Sequence, residues 1–183
     1  MSSFWTRLKE TLCDHDDSVW SNFAYPAAAL FAPTTTCGLV VAVLGFNLAV
    51  MSGMYHHHYD NRAAKRDVWA MLAYVSGIAS APIAAFESIG SVWAYGVPLF
   101  AAIVYWNETP RDGMRRDLHV GLWAAAGIVL AGFHAGWIVL VPAGVFVCAV
   151  IVRRFLERHS DSLVHSLWHV LGGTAAALHL FLL

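Results

Sequence analysis

Residues 117–154 read DLHVGLWAAAGIVLAGFHAGWIVLVPAGVFVCAVIVRR. Between Asp117 and Arg153 there is no Asp, Glu, Lys or Arg. A helix crosses the hydrocarbon core of a bilayer in about 20 residues, so this run is too long for one crossing and suits two. His134 to Gly136 mark the place for a tight glycine-containing hairpin, giving spans 117–133 and 135–153. The same reading of residues 67–106, interrupted by charge only at Glu87, gives spans 67–86 and 88–106 around Glu87-Ser88. The apolar stretches 18–32, 35–55 and 162–183 bring the number to seven. The first of these is the weakest, since it contains Pro26 and stops at Pro33.

Composition agrees. Of 183 residues, 58% are hydrophobic and 13% charged, about half the usual charged share of roughly 25%, and the mean hydropathy is +0.58. A soluble domain of this size cannot hide that much apolar surface. The expected fold class is therefore an all-α polytopic membrane protein: a seven-helix transmembrane domain over 18–183, preceded by a short polar or interfacial segment over 1–17. In that segment Phe4, Trp5, Leu8 and Leu12 suit one face of an interfacial helix as well as a frayed terminus. It has no apolar core of the kind a cleavable signal peptide needs. Cys13, Cys37 and Cys148 make no CxxC pair, which excludes a disulfide framework and zinc–thiolate chemistry. The net charge of −1, with no basic patch interleaved with aromatics, argues against nucleic acid as a partner. No internal repeat points to an inverted-repeat transporter.

Charge placement orients the chain. Lys and Arg occur at 7, 9, 62, 65, 66, 111, 115, 116, 153, 154 and 158. Seven crossings put all of them on the side of the N-terminus, whereas six would divide them. The positive-inside rule then places the N-terminus in the cytoplasm and Leu183 outside, as for a multi-pass protein of the plasma (inner) membrane. Trp20, Trp69, Trp93, Trp106, Trp137 and Trp168 fall near span ends, where an aromatic belt belongs.

Polar residues inside membrane helices are costly and point to function. The last span opens SLVHSLWHVLGG over 162–173, with His165 and His169 one turn apart on one face. The second span closes on Ser52-Gly-Met-Tyr-His56-His57-His58-Tyr-Asp60, with Ser52 and His56 sharing a face, and Asp67 opens the third. The topology brings these positions to one leaflet. Three imidazoles with one open position form a catalytic zinc site, whose water has a pKa lowered to about 7. Asp67 is then the group that orients that water and moves its proton, and Ser52 the hydroxyl that holds the carboxylate or a developing oxyanion. Simpler readings exist for each. The histidine pair also suits packing against a neighbouring helix, Asp67 suits a helix N-terminus, and His57 and His58 suit a hydrated loop. His179, about 15 Å beyond His169 along a helix, belongs to the outer side as an interfacial or packed residue. His134 lies in an outer turn. His15, His119 and His159 lack a partner at helical spacing, Asn47 suits a bridge between helices, and Gly172, Gly173 and Ala176 make a small packing face.

Ser-x-x-x-His closing one helix, Asp opening the next and His-x-x-x-His on the last of seven resembles the CREST superfamily of membrane hydrolases, which includes the alkaline ceramidases, the adiponectin-type receptors and the myomaker-related proteins. The step from His56 to Asp67 resembles the ceramidases, while VHSLWH at 164–169 and SGMYH at 52–56 resemble the myomaker-related branch. The resemblance implies that His56, His165 and His169 bind Zn2+, that Asp67 holds the zinc-bound water and that Ser52 supports the site. It implies a membrane lipid amide or ester as substrate. Against ceramide itself, the acidic calcium-binding stretch of the ceramidases has only Asp14, Asp16, Asp17 and Asn22 as counterparts, and the first helix carries no acidic residue. The expectation is a zinc-dependent intramembrane hydrolase, ceramidase- or phospholipase-like. The alternatives are a non-catalytic receptor or membrane-remodelling protein with structural zinc, and, behind it, a solute transporter using intramembrane histidines. Ser52 and Asp67 favour the enzyme, since a structural metal needs neither.

Overall fold

The computed structural model describes residues 4, 6, 17–32, 35–58, 61–84, 90–108, 113–156 and 162–183, and among them there is no strand. A broken helical run over residues 17–31, α1, alternates α turns (Asp17–Trp20, Ala24–Ala27) with 3-10 turns (Ser21–Phe23, Ala28–Phe31). Pro26 lacks the N–H that would bond the carbonyl four residues back, so the helical bonding of this segment has a gap there. Six longer helices follow: α2 Thr35–His58, α3 Asn61–Ala84, α4 Gly90–Glu108, α5 Gly113–Ala135, α6 Leu140–Ile151 and α7 Ser162–Phe181. A π turn, Val152–Leu156, extends α6.

The apolar stretches coincide with these segments, but several boundaries move, two of them at the site. The third helix begins at Asn61 rather than Asp67, and the second continues through His58. Hydropathy marks the apolar part of a helix only. Arg62, Lys65 and Arg66 are good helix formers that carry it further. His57 and His58 thus occupy the last turn of α2 rather than a loop.

Gly136 turns the chain between α5 and α6 with φ of 60°, a left-handed conformation that a residue without Cβ adopts at little cost. The 3-10 turn Gly136–Val139 then leads into α6. The two arms are joined again at the far end, where Arg154 Nη2 lies 2.9 Å from Asp117 Oδ2. Residues 114–154, helical throughout, are therefore folded as a hairpin. Met114–Arg154 and Thr36–His58 are the two described runs long and apolar enough to cross a membrane.

α3 packs on α2, α4 and α5; α1 packs on α2 and α7; and α6 packs on α7. α4 lies outside this arrangement, against α3. The interior is made of small side chains: Ala70, Ala73, Ser76, Ser80 and Ala81 of α3 are all buried. The Ser76 and Ser80 hydroxyls donate to the carbonyls of Ala73 and Gly77 at 2.8 and 3.0 Å, so no polar group is wasted there. Glycines let α1 lie directly on its neighbours. A Cβ at Gly45 would stand 2.7 Å from Pro26, and one at Gly173 would stand 2.7 Å from Ala24. Such close backbone approach at small residues is typical of membrane helices. Large apolar side chains face outward instead, among them Leu39 and Phe46 of α2, Phe100 of α4, Phe133 of α5 and Leu140 of α6. An exposed apolar surface this broad is a contact surface for lipid or protein.

The tryptophans near the ends of the apolar stretches differ in exposure. Trp20, Trp106 and Trp137 are exposed, but Trp168 is buried beneath the Arg153 guanidinium, 5.0 Å from its ring centroid. Position near a helix end does not determine which face a residue occupies. Trp69 is half-buried and donates Nε1–H to the Ala102 carbonyl at 2.8 Å.

Candidate metal centre

His56, near the end of α2, meets His165 and His169, in the first two turns of α7. The Nε2 atoms of His56 and His165 lie 2.8 Å apart. One ring nitrogen from each of the three residues falls within 4.8 Å of the others. Ring centroids are 4.2 Å apart for His56–His165, 4.5 Å for His165–His169 and 5.6 Å for His56–His169. Tetrahedral Zn–N bonds of about 2.0–2.1 Å put ligand nitrogens about 3.3 Å apart. One observed pair lies at 2.8 Å and none beyond 4.8 Å, so the three nitrogens are close enough to serve one ion. Three protein donors leave a fourth position open, and the donor set fits a metal.

The oxygen groups stand beside it. Ser52 is buried one turn before His56, with the Asp67 carboxyl within reach of its hydroxyl; Asp67 is also within electrostatic range of Arg153 and His165. Asp67 lies six residues into α3, past the first turn and its free N–H groups. That removes the reading of Asp67 as a helix N-terminal carboxylate. Ser52, His56, Asp67, His165 and His169 are thus brought to one end of the helices.

One partner was missed at the level of sequence. Ser21 Oγ of α1 lies 2.9 Å from His169 Nδ1, and His169 is only 3% exposed. No spacing links two residues 148 positions apart, and a serine in a weak apolar stretch carries no signal of its own. The Tyr25 ring flanks His169 edge-on, with centroids 5.8 Å apart.

Of the remaining histidines, His57, His58 and His119 depart from expectation, while His134 takes the turn position and His179 the packed position expected of them. His119 does have a partner: its Nδ1 lies 2.8 Å from the Tyr105 hydroxyl, which accepts a bond from Trp123 Nε1–H at 3.0 Å. The partner comes from α4, so no spacing within one helix reveals it. His57 and His58 pack edge-to-face at 4.6 Å and are not among the clustered ligands. His134 is exposed at the hairpin. His179 is buried at 5%, its ring set against Gly127 of α5, and is not interfacial. Cys13, His15, His159, Asp14, Asp16, Glu87, Ser88 and, but for Phe4, the N-terminal apolar residues lie outside the described residues.

A narrow cavity of about 90 Å³ reaches the neighbourhood of the cluster through Tyr25 and Trp168, without being lined by the three histidines themselves. Its lining includes Tyr25 and Trp168 beside His169, then Met71, Tyr74, Trp123 and Phe146, and His179. From His169 to His179 is about 15 Å along α7. Nearly all of the lining is apolar. α5 and α6, joined at Gly136 and at Asp117–Arg154, both contribute to the wall.

Compared with known proteins, the chain matches no family model, and no curated protein or solved structure is significantly similar to it.

Proposed function

We propose that this chain is a multi-pass membrane protein with its N-terminus in the cytoplasm, and that it is a zinc-dependent hydrolase of a lipid amide or ester, related to the CREST superfamily. The observation that carries this reading is the meeting of three imidazoles from α2 and α7 with a hydroxyl–carboxyl pair from α2 and α3. A purely structural ion requires no such pair. The apolar cleft beside the cluster supports a lipid substrate.

An ion bound there would supply a Lewis acid and would make a water beside it acidic near neutral pH. His56, His165 and His169 provide neutral nitrogen donors and leave one position open. Asp67 takes a proton from the attacking water and returns it to the departing amine or alcohol as the carbonyl carbon–heteroatom bond breaks. Ser52 donates its hydroxyl hydrogen to the Asp67 carboxylate and keeps that oxygen pair aimed. The cleft takes the acyl chain, which would enter sideways from the bilayer. The products are a fatty acid and an amine or alcohol.

The test is product analysis. Purified protein is incubated with ceramides, N-acyl amides, glycerophospholipids and lysophospholipids, with and without a zinc chelator, and the products are identified by mass spectrometry. Release of a fatty acid that stops with chelator and returns with zinc is expected. Zinc retained without release from any lipid class would turn the reading to a receptor or remodelling protein.

Orientation has its own support. Arg62, Lys65, Arg66, Arg115 and Arg116 lie at the starts of α3 and α5, and Arg153 and Arg154 lie just after α6. In seven crossings these ends share one side. In a background without Cys13, Cys37 and Cys148, an impermeant thiol reagent should label a cysteine placed at Ser88 and spare one placed at Asn61. The reverse pattern would invert the topology.

A further inference from the structure

We infer that Ser21 is a positioning residue of the metal centre, fixing the His169 tautomer and making α1 part of the site. The inference rests on the metal reading above. A neutral imidazole has one protonated and one free nitrogen, and only the free one coordinates. His169 is almost completely buried, so its proton placement is set by the groups packed around it. Ser21 Oγ stands 2.9 Å from Nδ1. When Nδ1–H donates to that oxygen, Nε2 keeps its lone pair and is the atom available to the ion. The opposite arrangement, with the serine O–H donating to Nδ1, puts the proton on Nε2 and blocks it. A metal at Nε2 selects the first arrangement, and a hydroxyl can serve as its acceptor.

The placement of Ser21 is enforced. α1 is seated against α7 where Gly173 leaves no room for a Cβ beside Ala24, and against α2 where Gly45 meets Pro26. The Tyr74 hydroxyl donates to the Tyr25 carbonyl at 2.9 Å, which ties α1 to α3 as well. Those contacts fix the backbone four residues from Ser21. The broken helix therefore has a use: its 3-10 turn at Ser21–Phe23 presents the hydroxyl to a histidine on the last helix.

Partners of this kind change metal affinity by about 10–100-fold when removed. The experiment is a competitive zinc titration of the purified full-length protein against a chromophoric chelator, with cobalt(II) spectra recorded in parallel. Ser21→Ala is expected to weaken zinc binding by about 10–100-fold and to shift the cobalt ligand-field bands, because the His169 ring is no longer held. Ser21→Thr, which keeps the hydroxyl, should restore both. A general packing defect would not discriminate between Ala and Thr in the cobalt spectrum. Wild-type affinity and spectrum in Ser21→Ala would overturn the inference, with the metal reading intact provided that His165→Ala still loses zinc. Absence of zinc binding by the wild-type protein would overturn both.

Discussion

Zinc is expected to copurify with the wild-type chain at about one ion per chain and to be lost when the three clustered histidines are replaced. Structural zinc sites with four ligands are stabilised by about 10–16 kcal/mol, so one ligand corresponds to about 3 kcal/mol, on the order of a 10²-fold change in affinity. His56→Ala, His165→Ala and His169→Ala should each show a loss of that order. The His165→Ala, His169→Ala double variant, left with one imidazole, should hold no zinc through purification. His57→Ala is the internal control, because its ring packs on His58 and is not one of the three clustered ligands. His179→Ala is a second control at the other end of the cleft. Metal analysis by mass spectrometry on detergent-purified protein reads all six variants. Full retention of zinc by the double variant would end the metal assignment, and equal losses in the two controls would show that the losses report misfolding.

The helices were readable because long apolar stretches must satisfy their backbone polar groups internally once they are taken out of water, and helices do so. The hairpin at Gly136 followed from the excess length of 117–154 alone. The histidine cluster was readable because His165 and His169 sit one turn apart and because the order of the helices carries the end of α2 and the start of α7 to the same end. Which face a residue occupies was not readable. Trp168 and His179 sit where hydropathy places span ends, yet both are buried, because burial depends on the neighbouring helix and not on depth. The start of α3 was missed for a related reason, since a helix continues past its apolar part when its polar residues favour it. Ser21 and the Tyr105–His119 contact depend on pairing between helices, which no spacing within one segment encodes.

That shift in the start of α3 sharpens the test of mechanism. Asp67→Asn should fold, keep its zinc and lose hydrolytic rate by roughly 10²–10⁴-fold, the usual share of general acid–base catalysis. Asn is close to Asp in shape and accepts a hydrogen bond from Ser52 as the carboxylate does, but it takes no proton at neutral pH. Ser52→Ala should cost less, since the hydroxyl aims the carboxyl and is not consumed. Two outcomes separate the roles. If Asp67 only packs against Ser52 between α2 and α3, the amide is an adequate replacement, and both stability and turnover stay near wild type. If Asp67 carries the proton, zinc content and melting temperature stay near wild type while turnover collapses. The helix-cap explanation no longer competes, because six residues of α3 precede Asp67 and the unpaired N–H groups of the helix start lie behind it. Turnover is read on the lipid that the product analysis identifies, with zinc measured on the same samples. Wild-type turnover by zinc-loaded Asp67→Asn would remove the proton-transfer role and leave the three-histidine site standing without it.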